Sequence, residues 1–98
     1  MRIIARSTLA AFWERHPETQ ASLQHWIRLA AAASWRNPRD VTSAFAKALN
    51  GERIRFEVSG GGYRLIVAFD FGRQIAFVKF VGTHAEYDRV DALTVSLF

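Results

Sequence analysis

The sequence predicts an α+β domain in which N-terminal helices pack on an antiparallel β-sheet and a short helix follows the last strand. Two observations carry this. Apolar residues recur at helical spacing through the first half of the chain, and from Arg53 onward they alternate with a period of two. The helical segments also precede the strands instead of interleaving with them, which favours α+β over a parallel α/β arrangement. At 98 residues, half of them apolar, the chain reads as a single domain spanning 1–98 with enough material for a core.

A short strand-like opening, Arg2 to Ala5, leads to Ser7 as a candidate N-cap. Leu9, Phe12, Trp13 and His16 then fall on one helix face, and Pro17 closes that helix or opens the next. A second helix is expected from about Glu18 to Ser34, with Leu23, Trp26, Ile27 and Ala30 inward. Asn37-Pro38 reads as an N-cap followed by proline at the first helical position. The third helix should run through Val41, Phe45 and Ala48 to Asn50-Gly51. Trp13, Trp26 and Trp35 occupy helical positions suited to the core. Strands follow at Arg53 to Val58, Tyr63 to Phe71 and Gln74 to Val81, joined by Gly60-Gly61-Gly62 and Gly72-Arg73. Short links between successive strands predict an antiparallel meander.

If Gly72-Arg73 is a two-residue turn, Phe71 faces Gln74, and the register extends unbroken to Tyr63 facing Gly82. Tyr63, Leu65, Val67 and Phe69 then share an apolar face with Gly82, Phe80, Val78 and Ala76. Arg64 and Lys79 lie on the opposite face as diagonal neighbours, roughly 7–8 Å apart. Beyond the last strand, Thr83 suits an N-cap with Glu86 three residues on, the pattern of a capping box. His84 and Tyr87, three apart, project from the same side of that turn.

Charge narrows the possible functions. Thirteen basic residues, eleven of them Arg, stand against nine acidic ones, for a net charge of +4. Arginine's planar fork matches phosphate and stacks on bases, so an anionic partner such as nucleic acid is implied. There is no cysteine, hence no disulfide and no thiolate chemistry, and the three histidines show no metal-ligand spacing. No cofactor or metal is expected. No segment approaches the roughly 20 apolar residues that span a bilayer, so the chain reads as cytoplasmic without a membrane partner. Cutting RNA without a metal requires a base, an acid and cations around the phosphate. His84 and Tyr87 with Arg64 and Lys79 could supply them. On spacing alone, His84 reads first as a helix-start residue bonded to backbone, and Tyr87 equally as a half-buried aromatic.

The segment Phe77-Val78-Lys79-Phe80-Val81-Gly82-Thr83-His84-Ala85-Glu86-Tyr87-Asp88 resembles the closing signature of the HigB toxin family. Phe12-Trp13-Glu14-Arg15-His16-Pro17, Trp35 to Asp40 and Tyr63-Arg64-Leu65 are similar to further blocks of that family, in the same order. The resemblance implies a RelE-like fold and an endoribonuclease toxin, an mRNA interferase, that cuts translated mRNA on the ribosome by metal-free attack of the 2′-hydroxyl. It implies a HigA-type antitoxin as partner, with DNA contacted only indirectly through that antitoxin. It places the catalytic residues at Arg64, Lys79, His84 and Tyr87 and leaves the acid and base roles of His84 and Tyr87 open. Arg53, Arg55 and Arg73 are candidate RNA-binding positions, since Ser59-Gly60-Gly61-Gly62 stands where relatives carry a basic or amide-rich loop. The alternatives are a non-catalytic RNA- or ribosome-binding module, or a decayed toxin that only binds its antitoxin.

Overall fold

A computed structural model describes residues 1–41 and 46–98. Strand β1 (Arg2–Ile4) leads into helix α1 (Arg6–Arg15), a short helical turn at Pro17–Thr19 and helix α2 (Gln20–Ala32). Helix α3 is a single turn, Pro38–Val41. Strands β2 (Ala46–Ala48), β3 (Arg53–Val58), β4 (Tyr63–Asp70) and β5 (Ile75–Thr83) follow, and helix α4 (His84–Tyr87) closes the regular structure.

The helices depart from expectation at their ends. Helix α1 begins at Arg6 behind an extended Ala5 with no side-chain cap, so Ser7 lies inside the first turn. Pro17 sits at the first position of its own short turn, where a missing N–H costs nothing. The buried Thr19 bonds its hydroxyl back to the His16 carbonyl at 2.8 Å, which separates that turn from α2. Helix α2 buries Leu23, Trp26 and Ala30, and Ile27 packs against the same core. The Met1 ammonium donates to the carbonyls of Ala30, Ala31 and Ala33, a cation at the negative end of the helix. Asn37 does cap α3, accepting from Asp40 N–H at 3.1 Å. The expected helix does not reach Ala48, however. That residue belongs to β2, paired with Ile54, and the intervening Phe45 lies outside the described residues.

The meander β3-β4-β5 forms as expected and gains a strand on each edge. The order is β1-β5-β4-β3-β2. Because β1 runs parallel to β5, the sheet is mixed and not purely antiparallel. One face carries the core: Ile54, Phe56, Val58, Leu65, Val67, Phe69, Ala76, Val78 and Val81 meet Leu9, Phe12, Leu23 and Trp26 from the helices. Trp13 and Trp35 are half-buried against it.

The β4–β5 register matches the expected one from Asp70 with Ile75 to Val67 with Val78, then breaks. A bulge inserts Lys79, after which Ile66 faces Phe80, Leu65 faces Val81, Arg64 faces Gly82 and Tyr63 faces Thr83. The extra residue reverses the inside–outside alternation beyond it. Val81 thereby joins the core in place of Phe80 and Gly82. Ile66 and Phe80, fully buried but outside the main core, form a second apolar layer on the outer face.

The C-terminal segment crosses that outer face. Arg53 Nη1 donates to the carbonyls of Ala92 and Val95 at 3.1 and 2.8 Å, and Leu97 N–H donates to the carbonyl of the bulged Lys79 at 2.9 Å. Charge-assisted bonds of this kind are worth about 1.5–3 kcal/mol. Arg53→Ala should therefore lower the stability of the full chain by about 2 kcal/mol in urea unfolding. Amide exchange should accelerate selectively in the segment from Ala92 to Leu97. Gly82 is fixed by a different constraint: a Cβ there would lie 2.7 Å from Phe80 Cζ and 3.3 Å from Glu86 Cβ. Gly82→Ala should cost about 1–3 kcal/mol by overpacking, read from the shift of the urea midpoint.

Candidate active site

Strand β5 delivers the chain into α4 through Thr83. The Thr83 hydroxyl accepts from Glu86 N–H at 3.1 Å, and the Glu86 carboxylate accepts from Thr83 N–H at 2.9 Å. This completes the capping box foreseen in the sequence. That hydrogen bond to the Thr83 backbone, larger than the opposing effect of burial and joined by the Thr83 hydroxyl and the nearby His16 and Arg15, holds the Glu86 carboxyl below the usual carboxylate range. Glu86 is thus an ionised cap.

The cap aims His84. Its backbone N–H donates to the Gly62 carbonyl at 3.0 Å, tying the first residue of α4 to the glycine loop between β3 and β4. Its imidazole is more than half exposed, and Nδ1 lies 3.0 Å from Asp88 Oδ2. A carboxylate that accepts a hydrogen bond from Nδ1–H leaves Nε2 with its lone pair free, the arrangement a general base needs. Asp88 was not singled out in the sequence, although its i, i+4 spacing from His84 signals the pair.

One turn on, Tyr87 lies half-buried against Phe80, ring centroids 6.2 Å apart. Two guanidiniums converge on its ring, Arg55 Cζ at 5.6 Å and Arg64 Cζ at 6.0 Å from the centroid. The convergence follows from register. Glu57 pairs with Arg64 and Arg55 with Ile66, so Arg55 and Arg64 are diagonal neighbours on the outer face. Arg64 is only 8% exposed. Its Nη1 donates to the Gly61 carbonyl, and to that of Tyr63 at 3.3 Å. The left-handed Gly60 and Gly61, at φ 69° and 94°, suit a residue with no side chain and turn the Gly61 carbonyl toward the guanidinium. A glutamate missed in the sequence completes the group. Glu57 Oε1 stands 3.9 Å from the Nη2 of both Arg55 and Arg64.

The remaining sequence candidates lie apart from this group. Lys79 occupies the bulge, with its ammonium 5.5 Å from the Phe77 ring, so Arg55 and not Lys79 is Arg64's cationic neighbour at Tyr87. Arg53 is 9% exposed and spends its guanidinium on the tail carbonyls. Arg73 stands exposed in the β4–β5 turn, 3.7 Å from Asp70, at the opposite end of β5 from His84. His16 stacks on Phe12 at 4.4 Å and meets the edge of Tyr63, an ordinary helix-face role. Among the described residues no cluster of three or more His, Asp or Glu could hold a metal ion. Among them, too, no helix is long and apolar enough to cross a membrane.

Residues 19–90 match the HigB toxin family, the RelE-like toxic component of a toxin–antitoxin system. The chain belongs to the HigB toxin family. It is also similar, at 25% identity over 95 residues, to a protein of Escherichia coli O6:H1 named mRNA interferase HigB. That match covers 92% of this chain and 91% of the relative. Helices on a mixed sheet with a short closing helix accord with a RelE-like HigB toxin, and membership of such a family implies an antitoxin partner.

The acid response of the cap can be checked directly. A carboxyl lowered by folding stabilises fully above its unfolded value, and that stabilisation is lost as pH falls through the folded value. The backbone amide signals of Glu86 and Thr83 should therefore titrate together below the usual carboxylate range in NMR, and Glu86→Gln should abolish that titration.

Proposed function

We propose that this HigB toxin is a ribosome-dependent endoribonuclease, an mRNA interferase that cuts translated mRNA by attack of the 2′-hydroxyl on the adjacent phosphate. A HigA-type antitoxin would neutralise it. One observation carries this reading: a solvent-facing, carboxylate-paired imidazole shares a single helical turn with a tyrosine onto which two arginines converge. The ingredients of RNA cleavage are a proton acceptor, a proton donor and cations that meet the charge growing on phosphate. His84 and Tyr87 supply the first two in either order. Arg64, held by the Gly61 carbonyl and nine-tenths buried, would bind the scissile phosphate, with Arg55 beside it. Lys79, further along β5, would contact a neighbouring phosphate. Asp88 is a positioning residue that fixes the His84 tautomer. No step in this scheme calls for a metal ion. Operon DNA would be met only through the antitoxin.

The test is induction of the full chain and of His84→Ala in a bacterial host without antitoxin, with growth followed and mRNA ends mapped. The wild type should arrest growth and create new ends inside translated messages. The variant should cleave at least about 10²-fold more slowly, the usual contribution of a general acid or base. Equal cleavage by both would remove His84 from the chemistry. Growth arrest without new ends would favour binding to RNA or the ribosome without cutting.

A further inference from the structure

The group around Tyr87 contains one charge that cleavage chemistry does not call for. Glu57 sits between two guanidiniums, 3.9 Å from each, beyond the roughly 2.7–2.9 Å of a charge-assisted hydrogen bond. Both arginine forks are correspondingly under-used. Arg55 Nε and Arg64 Nε are buried with no hydrogen-bond partner among the described residues, and Arg64 commits only Nη1, to the Gly61 and Tyr63 carbonyls. Buried donors in native proteins are ordinarily satisfied, so a pair of orphaned guanidinium N–H groups on one ring marks a place where a ligand acceptor belongs. A carboxylate this loosely held is a weak substitute for that acceptor. It is 38% exposed and can swing toward water.

We propose that Arg55 and Arg64 form a phosphate subsite for which Glu57 is the resident counter-ion, displaced when an RNA phosphate enters. The inference deepens the ribonuclease reading, since it names the second arginine of the subsite and the group that competes with substrate for it. Two cations and one carboxylate leave a net charge of +1 in the empty site. With the carboxylate turned outward, both guanidiniums face the bound phosphodiester and the second negative charge that develops on it during attack of the 2′-hydroxyl. With the carboxylate turned inward, the cations are held apart from one another's repulsion. Glu57 therefore sets how readily the site accepts any anion, and it disfavours ligands too weakly charged to displace it.

The experiment is a titration of the full-length chain with inorganic sulfate, whose charge is constant near neutrality, and with a non-cleavable 2′-deoxy tetranucleotide. The readout is the NMR signals of the arginine Nε–H groups. Glu57→Gln should bind both probes about two- to fivefold more tightly than wild type, the scale on which a solvent-accessible ion pair competes. Arg55→Ala in the same background should cancel the gain. Glu14→Gln makes the same charge change on α1 and sets the non-specific baseline. A Glu57→Gln gain no larger than that of Glu14→Gln, or weaker binding, would overturn the proposal and make Glu57 a structural brace for the arginines. Unchanged amide fingerprints of the variants exclude misfolding as the cause. Neither probe is turned over, so the result stands whether or not the wild-type chain cleaves RNA.

Discussion

One inserted residue in β5 governs what the outer face of this sheet can do. Up to Val78 the strand alternates in step with β4. At Lys79 the chain gains a residue for which β4 has no partner, and every later side chain changes sides. Sequence order alone would put Phe80 and Gly82 in the core and leave Val81 outside. The bulge exchanges them. Val81 completes the core, Phe80 turns outward onto Ile66, and Gly82 comes to face Arg64. The site is assembled from these exchanged residues. Gly82 leaves room above Arg64 for α4, Phe80 supplies the apolar floor for Tyr87, and the carbonyl exposed at Lys79 receives the C-terminal segment.

Two arginines share this face, Arg64 buried and Arg55 part-buried. An isolated buried guanidinium is costly, and a single carboxylate at 3.9 Å does little to offset two of them. The remaining compensation comes from carbonyls and a ring. Gly61 and Tyr63 present oxygens to Arg64, and the Tyr87 face meets both cations. The glycine loop serves both halves of the site. Gly61 holds the cation, while the next carbonyl, Gly62, holds the first N–H of the helix that carries His84. Two adjacent glycine carbonyls therefore fix the relative placement of Arg64 on β4 and His84 on α4.

Much of this was legible in the residues themselves. Helical spacing located α1 and α2, the period-two pattern located β3 to β5, and the Thr83–Glu86 spacing announced the cap that orients His84. What escaped had a common origin. The bulge is a non-local compromise: strict alternation from Asp70 satisfies every local preference, and only packing of the whole sheet shows that Val81 fits the core better than Phe80 does. The displacement of Lys79 relative to Arg64 follows from the same event. The end of the third helix was misjudged for a related reason, because Ala46 to Ala48 have no strong strand preference and pair with β3 only as its edge partner. Parallel pairing of β1 with β5 likewise leaves no local mark on Arg2 to Ile4.

The arginines show most clearly where composition stops being informative. Arg53, Arg55 and Arg73 looked alike as basic residues flanking strand positions, yet the fold gives them three different surroundings. Arg53 and Arg55 lie on the same face of the same strand, two residues apart. The segment that crosses the sheet lies over Arg53 and supplies carbonyls to its fork, so that cation closes the fold. Over Arg55 the same face is roofed by an aromatic ring and a part-exposed carboxylate, and among the described residues its Nε–H has no hydrogen-bond partner. Arg73, at the tip of the turn, has water and one aspartate. A guanidinium's role is decided by whether its five donors are already spent. By that criterion the phosphate-binding surface we propose is narrower than the chain's net charge of +4 implies, since of these three arginines only the one beside α4 keeps a donor unspent.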